Sequence, residues 1–101
     1  PGSPKRDFVY IKDIISANLY AYQNYFDLTS GAYDVGSGDA RTFEDVMEIL
    51  ELPYTYHNEK EIPEGYQFFT LSDKNKWLNG WEPEYNLERG LKDYLKWINQ
   101  K

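Results

Sequence analysis

The chain has no cysteine and a single histidine among its 101 residues. No disulfide framework, thiolate zinc site or iron-sulfur cluster is open to it, and the lack of cysteine fits a reducing compartment. His57 has no second imidazole to work with, and no acidic loop of calcium-type spacing replaces one, so no metal is expected. No apolar stretch approaches the roughly 20 residues needed to span a bilayer, and no charged-then-apolar leader opens the sequence. Basic residues are also scarce, with 11 Lys and Arg against 17 Asp and Glu and a net charge of −6. Binding to a nucleic-acid backbone needs a basic face, so no such partner is expected. The expectation from these absences is a soluble, cytoplasmic protein.

Aromatics, by contrast, are plentiful at 18%, with ten tyrosines. Most fall where strands or helix core faces are predicted, so they are expected to bury area and leave a polar tip at an edge. A surface for carbohydrate stacking or protein docking is the alternative. At this length the chain fits one unit, residues 1–101, able to bury roughly 65% of its unfolded surface without staples.

Phe8-Val9-Tyr10-Ile11 is rich in β-formers and reads as a short strand; a helix is predicted from near Asp13 with Ile11, Ile14, Ile15, Leu19 and Tyr22 as its apolar stripe. A second strand is predicted at Ala32–Val35, broken by Gly36-Ser37-Gly38. Thr42 and Asp45 have the spacing of a capping box ahead of a helix over 43–51, which Pro53 stops. Tyr54–His57 reads as a third strand, and Asn58 to Gly65 as a charged loop bearing Pro63. Tyr66–Thr70 is extended, and Ser72-Asp73 caps a short helix that ends at Asn79-Gly80. Asn86 caps a terminal helix with Leu87, Leu91, Tyr94, Leu95 and Ile98 on one face. Three or four short strands alternating with about four helices predict an α/β layer.

Few residues offer chemistry. Gly36-Ser37-Gly38 occupies the place of a dinucleotide loop, but Arg41 stands where the third glycine belongs, so it reads as a structural turn and no cofactor is assigned to it. No nucleophile and base stand paired, His57 reads as an edge residue, and no catalytic residue is assigned. Arg6 differs, because a guanidinium at the base of an apolar strand can present parallel N–H donors to a phosphate. A surface pair with Asp7, or a solvated charge, is the structural alternative. Tyr66, beside Gly65, offers a hydroxyl for the same phosphates or is an ordinary half-buried tyrosine.

Arg6-Asp7-Phe8-Val9-Tyr10-Ile11-Lys12-Asp13 resembles the RDFVYV-(K/D)D motif of nucleotide-sugar epimerases and dehydratases of the extended short-chain dehydrogenase/reductase family. Tyr33 to Phe43 is similar to the YN-(L/V)G-(T/S)G-x-A-(R/E)-(S/T)-F segment. Tyr66-Gln67-Phe68-Phe69-Thr70-Leu71-Ser72-Asp73 resembles YQ-x-FT-x-(A/S)D, which narrows the likeness to the ADP-glyceromanno-heptose 6-epimerases. Gly80-Trp81 and Leu87 to Trp97 are similar to the usual ending. The resemblance implies the C-terminal substrate-binding lobe of an NADP-dependent isomerase of lipopolysaccharide inner-core synthesis. It implies that Arg6 binds the diphosphate of ADP-heptose and that Tyr66 is a substrate-binding tyrosine.

The family's GxxGxxG loop and Tyr-x-x-x-Lys pair are missing, so the resemblance also implies an absent N-terminal Rossmann domain that binds NADP, no activity alone, and homo-oligomers at full length. Asp34 stands where the family often has Asn, and the segment around Leu52-Pro53 is shortened; both bear on substrate preference. Pro1-Gly2-Ser3 is either an expression scar or a linker end. The same residues fit the lobe of another nucleotide-sugar epimerase or dehydratase, and an acidic interaction module is the reading from a different class.

Overall fold

The computed structural model describes residues 4–53, 55 and 64–100. Its elements are β1 (Lys5–Asp7), α1 (Ile11–Gln23), β2 (Ala40–Thr42), α2 (Phe43–Leu50) and α3 (Leu87–Asn99), with 3-10 turns at Tyr25–Asp27 and Lys74–Lys76. This is a small α/β fold. The strands pair antiparallel, with Lys5 opposite Thr42 and Asp7 opposite Ala40. Along the other edge of β1, the Lys5 amide donates to the Phe68 carbonyl at 2.8 Å and the Thr70 amide to the Lys5 carbonyl at 3.1 Å. A parallel bridge joins Lys5 and Phe69. The charged start of the chain thus lies between two segments far from it in sequence.

Two predicted strands are corrected. Phe8, Val9 and Tyr10 form no strand, and Ile11 already opens α1, because the pairing partners lie opposite Lys5–Asp7 instead. Ala32–Val35 pairs with no strand among the described residues; a β-former composition supplies no ladder unless a neighbour is present. The predicted strand at Tyr54–His57 and the Pro63 loop fall, except Thr55, Glu64 and Gly65, outside the described residues. Of the four predicted helices, the short one before Asn79-Gly80 is the 3-10 turn Lys74–Lys76, capped by Asp73, whose side chain accepts from the Asn75 amide at 2.9 Å. Gly80 follows with φ +90°, a conformation that costs a residue without Cβ little.

Caps were legible. Thr42 Oγ1 accepts from the Asp45 amide and Asp45 Oδ2 from the Thr42 amide, both at 3.0 Å, a reciprocal capping box at the start of α2. Thr42→Ala leaves one amide without its partner and is expected to lower stability by about 1 kcal/mol, read from the urea midpoint at unchanged slope. At α3 the Asn86 side chain accepts from the Arg89 amide at 2.8 Å, as its position predicts. Gly90 lets this helix close on Tyr10, where an added Cβ would meet the Tyr10 side chain at 3.3 Å.

The core is small. Ala17, Leu78 and Trp81 are buried together, with Tyr20, Ala21, Leu28 and Trp77 against them. The Trp77 and Trp81 rings meet edge to face at 5.6 Å, and Trp81 Nε1 donates to Ser16 Oγ at 3.0 Å. Helix α1 reaches this core through Ala17, Tyr20 and Ala21, not through its apolar stripe, and Asp13 on the same helix is fully buried. Asp13 accepts from the amides of Glu84 and Tyr85 at 2.8 and 3.0 Å, so a buried carboxylate closes the turn that leads into α3. Ile11, Ile15, Leu19 and Tyr22 face outward. The expected burial of the aromatics is corrected with them: Tyr25, Phe26, Tyr94 and Trp97 are each exposed.

Candidate functional site

Strand alternation sends neighbouring side chains of β1 to opposite faces, and this separates Arg6 from Asp7. Arg6 turns toward the segment along the strand's free edge. Its Nη2 donates to the Gln67 carbonyl at 2.5 Å and its Nη1 to the Lys5 carbonyl at 3.0 Å. The guanidinium carbon lies 5.1 Å from the centre of the Tyr66 ring, which is itself set edge-on to Phe68 at 5.1 Å. Arg6 and Tyr66, 60 positions apart, are therefore brought together on one face.

Two carbonyls fix the fork without saturating it. A guanidinium carries five N–H donors, so further donors remain for an incoming acceptor. The Tyr66 hydroxyl has no protein partner among the described residues, and the residue is 36% exposed. The arrangement is a clamped cation on an aromatic face, open to solvent and suited to anionic oxygens.

Asp7, on the opposite face, has a structural task that the sequence did not announce. Its Oδ1 accepts from the Ser37 amide at 2.6 Å and the Ser37 hydroxyl at 2.5 Å, and its Oδ2 from the amides of Gly38 and Ser72 at 3.0 and 2.9 Å. Burial pushes this carboxyl upward, but the bonds from Ser37 and Ser72 together outweigh it and hold the group below its ordinary range. The alternative of an Arg6–Asp7 surface pair is not what the structure shows, since Asp7 is engaged by Ser37, Gly38 and Ser72.

The same contacts decide what the glycine loop can hold. Its amides already point at the Asp7 carboxylate, and a Cβ on Gly36 would sit 2.6 Å from Asp7 Oδ2 and 2.5 Å from Ser72 Oγ. The loop is an anion cradle filled from within the chain. It does not fit the phosphates of a dinucleotide, in keeping with its reading as a turn.

A second charged cluster ties β2 to the helices. Arg41 donates from Nη1 and Nη2 to the two oxygens of Glu88, both at 2.9 Å, and from Nε to Asp45 at 3.3 Å. The Glu88 bonds are the main reason its pKa is raised further. Arg41, read from the sequence only as an interrupted glycine motif, is a strut between β2, α2 and α3. No group of three or more His, Cys, Asp or Glu suited to a metal occurs among the described residues, and His57 lies outside them. No helix among the described residues is long and apolar enough to cross a membrane.

No family model matches the chain. It is 34% identical over 111 aligned residues to the ADP-L-glycero-D-manno-heptose-6-epimerase of Fusobacterium nucleatum subsp. nucleatum, an alignment that covers 94% of this chain and 32% of that protein. Its fold is similar to the crystal structure of the Helicobacter pylori ADP-L-glycero-D-manno-heptose-6-epimerase, with a TM-score of 0.66 and 30% identity over 99% of this chain and 31% of that one. The chain therefore spans about a third of the length of these relatives.

Proposed function

From a chain that is similar over nearly all its length to about a third of the ADP-heptose 6-epimerases, we propose that it is their C-terminal substrate-binding part. Arg6 takes the diphosphate of a nucleotide sugar, ADP-heptose, and Tyr66 packs beside it with its hydroxyl free to donate. The observation that carries this reading is the Arg6 guanidinium held 5.1 Å from the Tyr66 ring with donors to spare. Carbonyl clamps on two of its N–H groups set the orientation of the fork before ligand arrives, which lowers the entropy lost on binding.

Catalysis and NADP belong, in this reading, to the two thirds of the relatives' length that lie beyond this chain. The filled glycine loop supports that division, and the chain alone is inactive. The full-length protein would be a cytoplasmic homo-oligomer serving inner-core heptose synthesis for lipopolysaccharide.

Calorimetric titration of the chain with ADP tests the site directly. Each charge-assisted bond lost contributes about 1.5–3 kcal/mol, so Arg6→Ala is expected to weaken ADP binding by at least about tenfold. Tyr66→Phe, which keeps the ring and loses the hydroxyl, should weaken it less. Equal affinity in wild type and Arg6→Ala would remove the assignment, and a preference for UDP-glucose would move the chain to another nucleotide-sugar enzyme.

A further inference from the structure

Tyr66 reaches Arg6 because the segment that carries it lies in one register along β1. The backbone does little to fix that register. Among the described residues two backbone bonds hold the segment, from the Lys5 amide to the Phe68 carbonyl at 2.8 Å and from the Thr70 amide to the Lys5 carbonyl at 3.1 Å, and together they make one parallel bridge, Lys5 to Phe69. Burial does not choose the register either. Phe68 and Phe69 stand side by side and are 39% and 51% exposed, so a slip of one residue exchanges one partly exposed phenylalanine for another. The consequence for the site is large, because side chains alternate across an extended chain and such a slip turns Tyr66 away from the Arg6 face.

The next rungs of the ladder are where side chains enter. After a parallel bridge at Lys5 and Phe69, the rungs expected run from the Asp7 amide to the Thr70 carbonyl and from the Ser72 amide to the Asp7 carbonyl. Each goes to a side-chain oxygen instead: the Asp7 amide donates to Thr70 Oγ1 at 3.2 Å, and the Ser72 amide to Asp7 Oδ2 at 2.9 Å. Every residue has a carbonyl, so a backbone rung fits any register, whereas a side-chain rung fits one. A slip in either direction would set Phe69 or Leu71 opposite the Asp7 amide, and neither has a side-chain oxygen. Asp7 also holds the glycine loop, so its loss acts on much of the fold. The Thr70 hydroxyl acts at this junction, where the segment meets β1.

We infer that Thr70 is a positioning residue of the Arg6–Tyr66 site: by accepting from the Asp7 amide, its hydroxyl fixes the register of residues 66–70 on β1 and so keeps the Tyr66 ring and the Gln67 carbonyl on the Arg6 guanidinium. Thr70 itself touches no ligand. The inference deepens the nucleotide-sugar reading and rests on it for the effect on binding, whereas the register is read without any ligand.

Valine matches threonine in shape and lacks the hydroxyl, so Thr70→Val removes the rung. A hydrogen bond of this kind corresponds to roughly a 2- to 10-fold change in an equilibrium. In the ligand-free chain, nuclear Overhauser cross-peaks between the Tyr66 ring and the Arg6 side-chain methylenes report the register. They are expected to weaken at least about twofold in Thr70→Val and to return in Thr70→Ser, which restores the hydroxyl. ADP affinity of the folded chain, by calorimetry, should fall about fivefold in Thr70→Val and recover to within about twofold of wild type in Thr70→Ser. Asn86→Ala loses the cap of α3, away from this segment, and should change neither reading despite its lower stability.

Wild-type cross-peaks in Thr70→Val overturn the inference, since Asp7 alone would then hold the register. So does a weakening that Thr70→Ser fails to restore or that Asn86→Ala reproduces, since Thr70 would then add stability and nothing more. Unchanged ADP affinity in Thr70→Val, where the wild type binds, overturns it as well. Absence of ADP binding to the wild type removes the substrate reading instead, and the cross-peaks still decide whether Thr70 sets the register.

Discussion

Asp7→Ala is expected to abolish cooperative folding of the isolated chain at 37 °C. The carboxylate receives four hydrogen bonds from Ser37, Gly38 and Ser72, and alanine leaves the three half-buried backbone amides without that acceptor. Water can reach these half-buried amides, so each bond is taken at about 1 kcal/mol net, and losing four removes about 4 kcal/mol. A small domain has about 5–15 kcal/mol in all, and a core of so few fully buried side chains puts this one at the low end. Circular dichroism melting would show it: a variant that melts within a few degrees of wild type would mean the cradle is not what holds β1 in place.

Acidification should act through the same group. Its pKa is lowered in the folded state, so its stabilisation is complete above the unfolded carboxylate value of about 3.9 and is lost as pH falls through the folded one. The wild-type midpoint should therefore drop below about pH 4. Asp7→Asn, less stable at neutral pH, should fall less steeply over that window. Part of the slope will remain in the variant, because Thr42 bonds hold Asp45 low and Arg41 holds Glu88 low.

Asp13→Ala has the second large effect. The residue is 1% exposed, and its oxygens are the acceptors for the Glu84 and Tyr85 amides. Losing both acceptors is expected to cost about 2–5 kcal/mol and to loosen the entry to α3. Asp13→Asn keeps one acceptor oxygen and should recover part of the loss. The urea midpoint measures the first effect, and exchange of the Glu84 and Tyr85 amides locates it; unchanged exchange at those two positions would contradict the assigned role.

Local chemistry was the legible part of this sequence. Thr42 with Asp45, Asn86 and Gly80 act within three or four residues of themselves, and a pattern in sequence is enough to find them. The helix stripe shows the limit of such patterns. Periodicity states which face of α1 is apolar, whereas whether anything in the chain covers that face depends on polypeptide elsewhere. The strands failed for a related reason: apart from Thr42, Lys5-Arg6-Asp7 and Ala40-Arg41-Thr42 lack β-formers, and their partners lie far along the chain.

For the candidate site, Arg6 and Tyr66 were both singled out, and the structure sets them face to face. Asp7 was seen only as a neighbour of Arg6. Its importance lies in where the other ends of its bonds are, which spacing along the chain does not encode.

Those distances also set an order of events. Asp7 must meet Ser37 and Gly38, 30 and 31 residues ahead, and Ser72, 65 residues ahead. Loop-closure entropy is lost before any of these bonds returns energy, so folding that depends on them is slowed. During synthesis, β1 leaves the ribosome long before its last ligand exists. The first strand in sequence can pair with β2 once Thr42 has emerged, but its other edge and the last bond of Asp7 wait for Phe68 to Ser72.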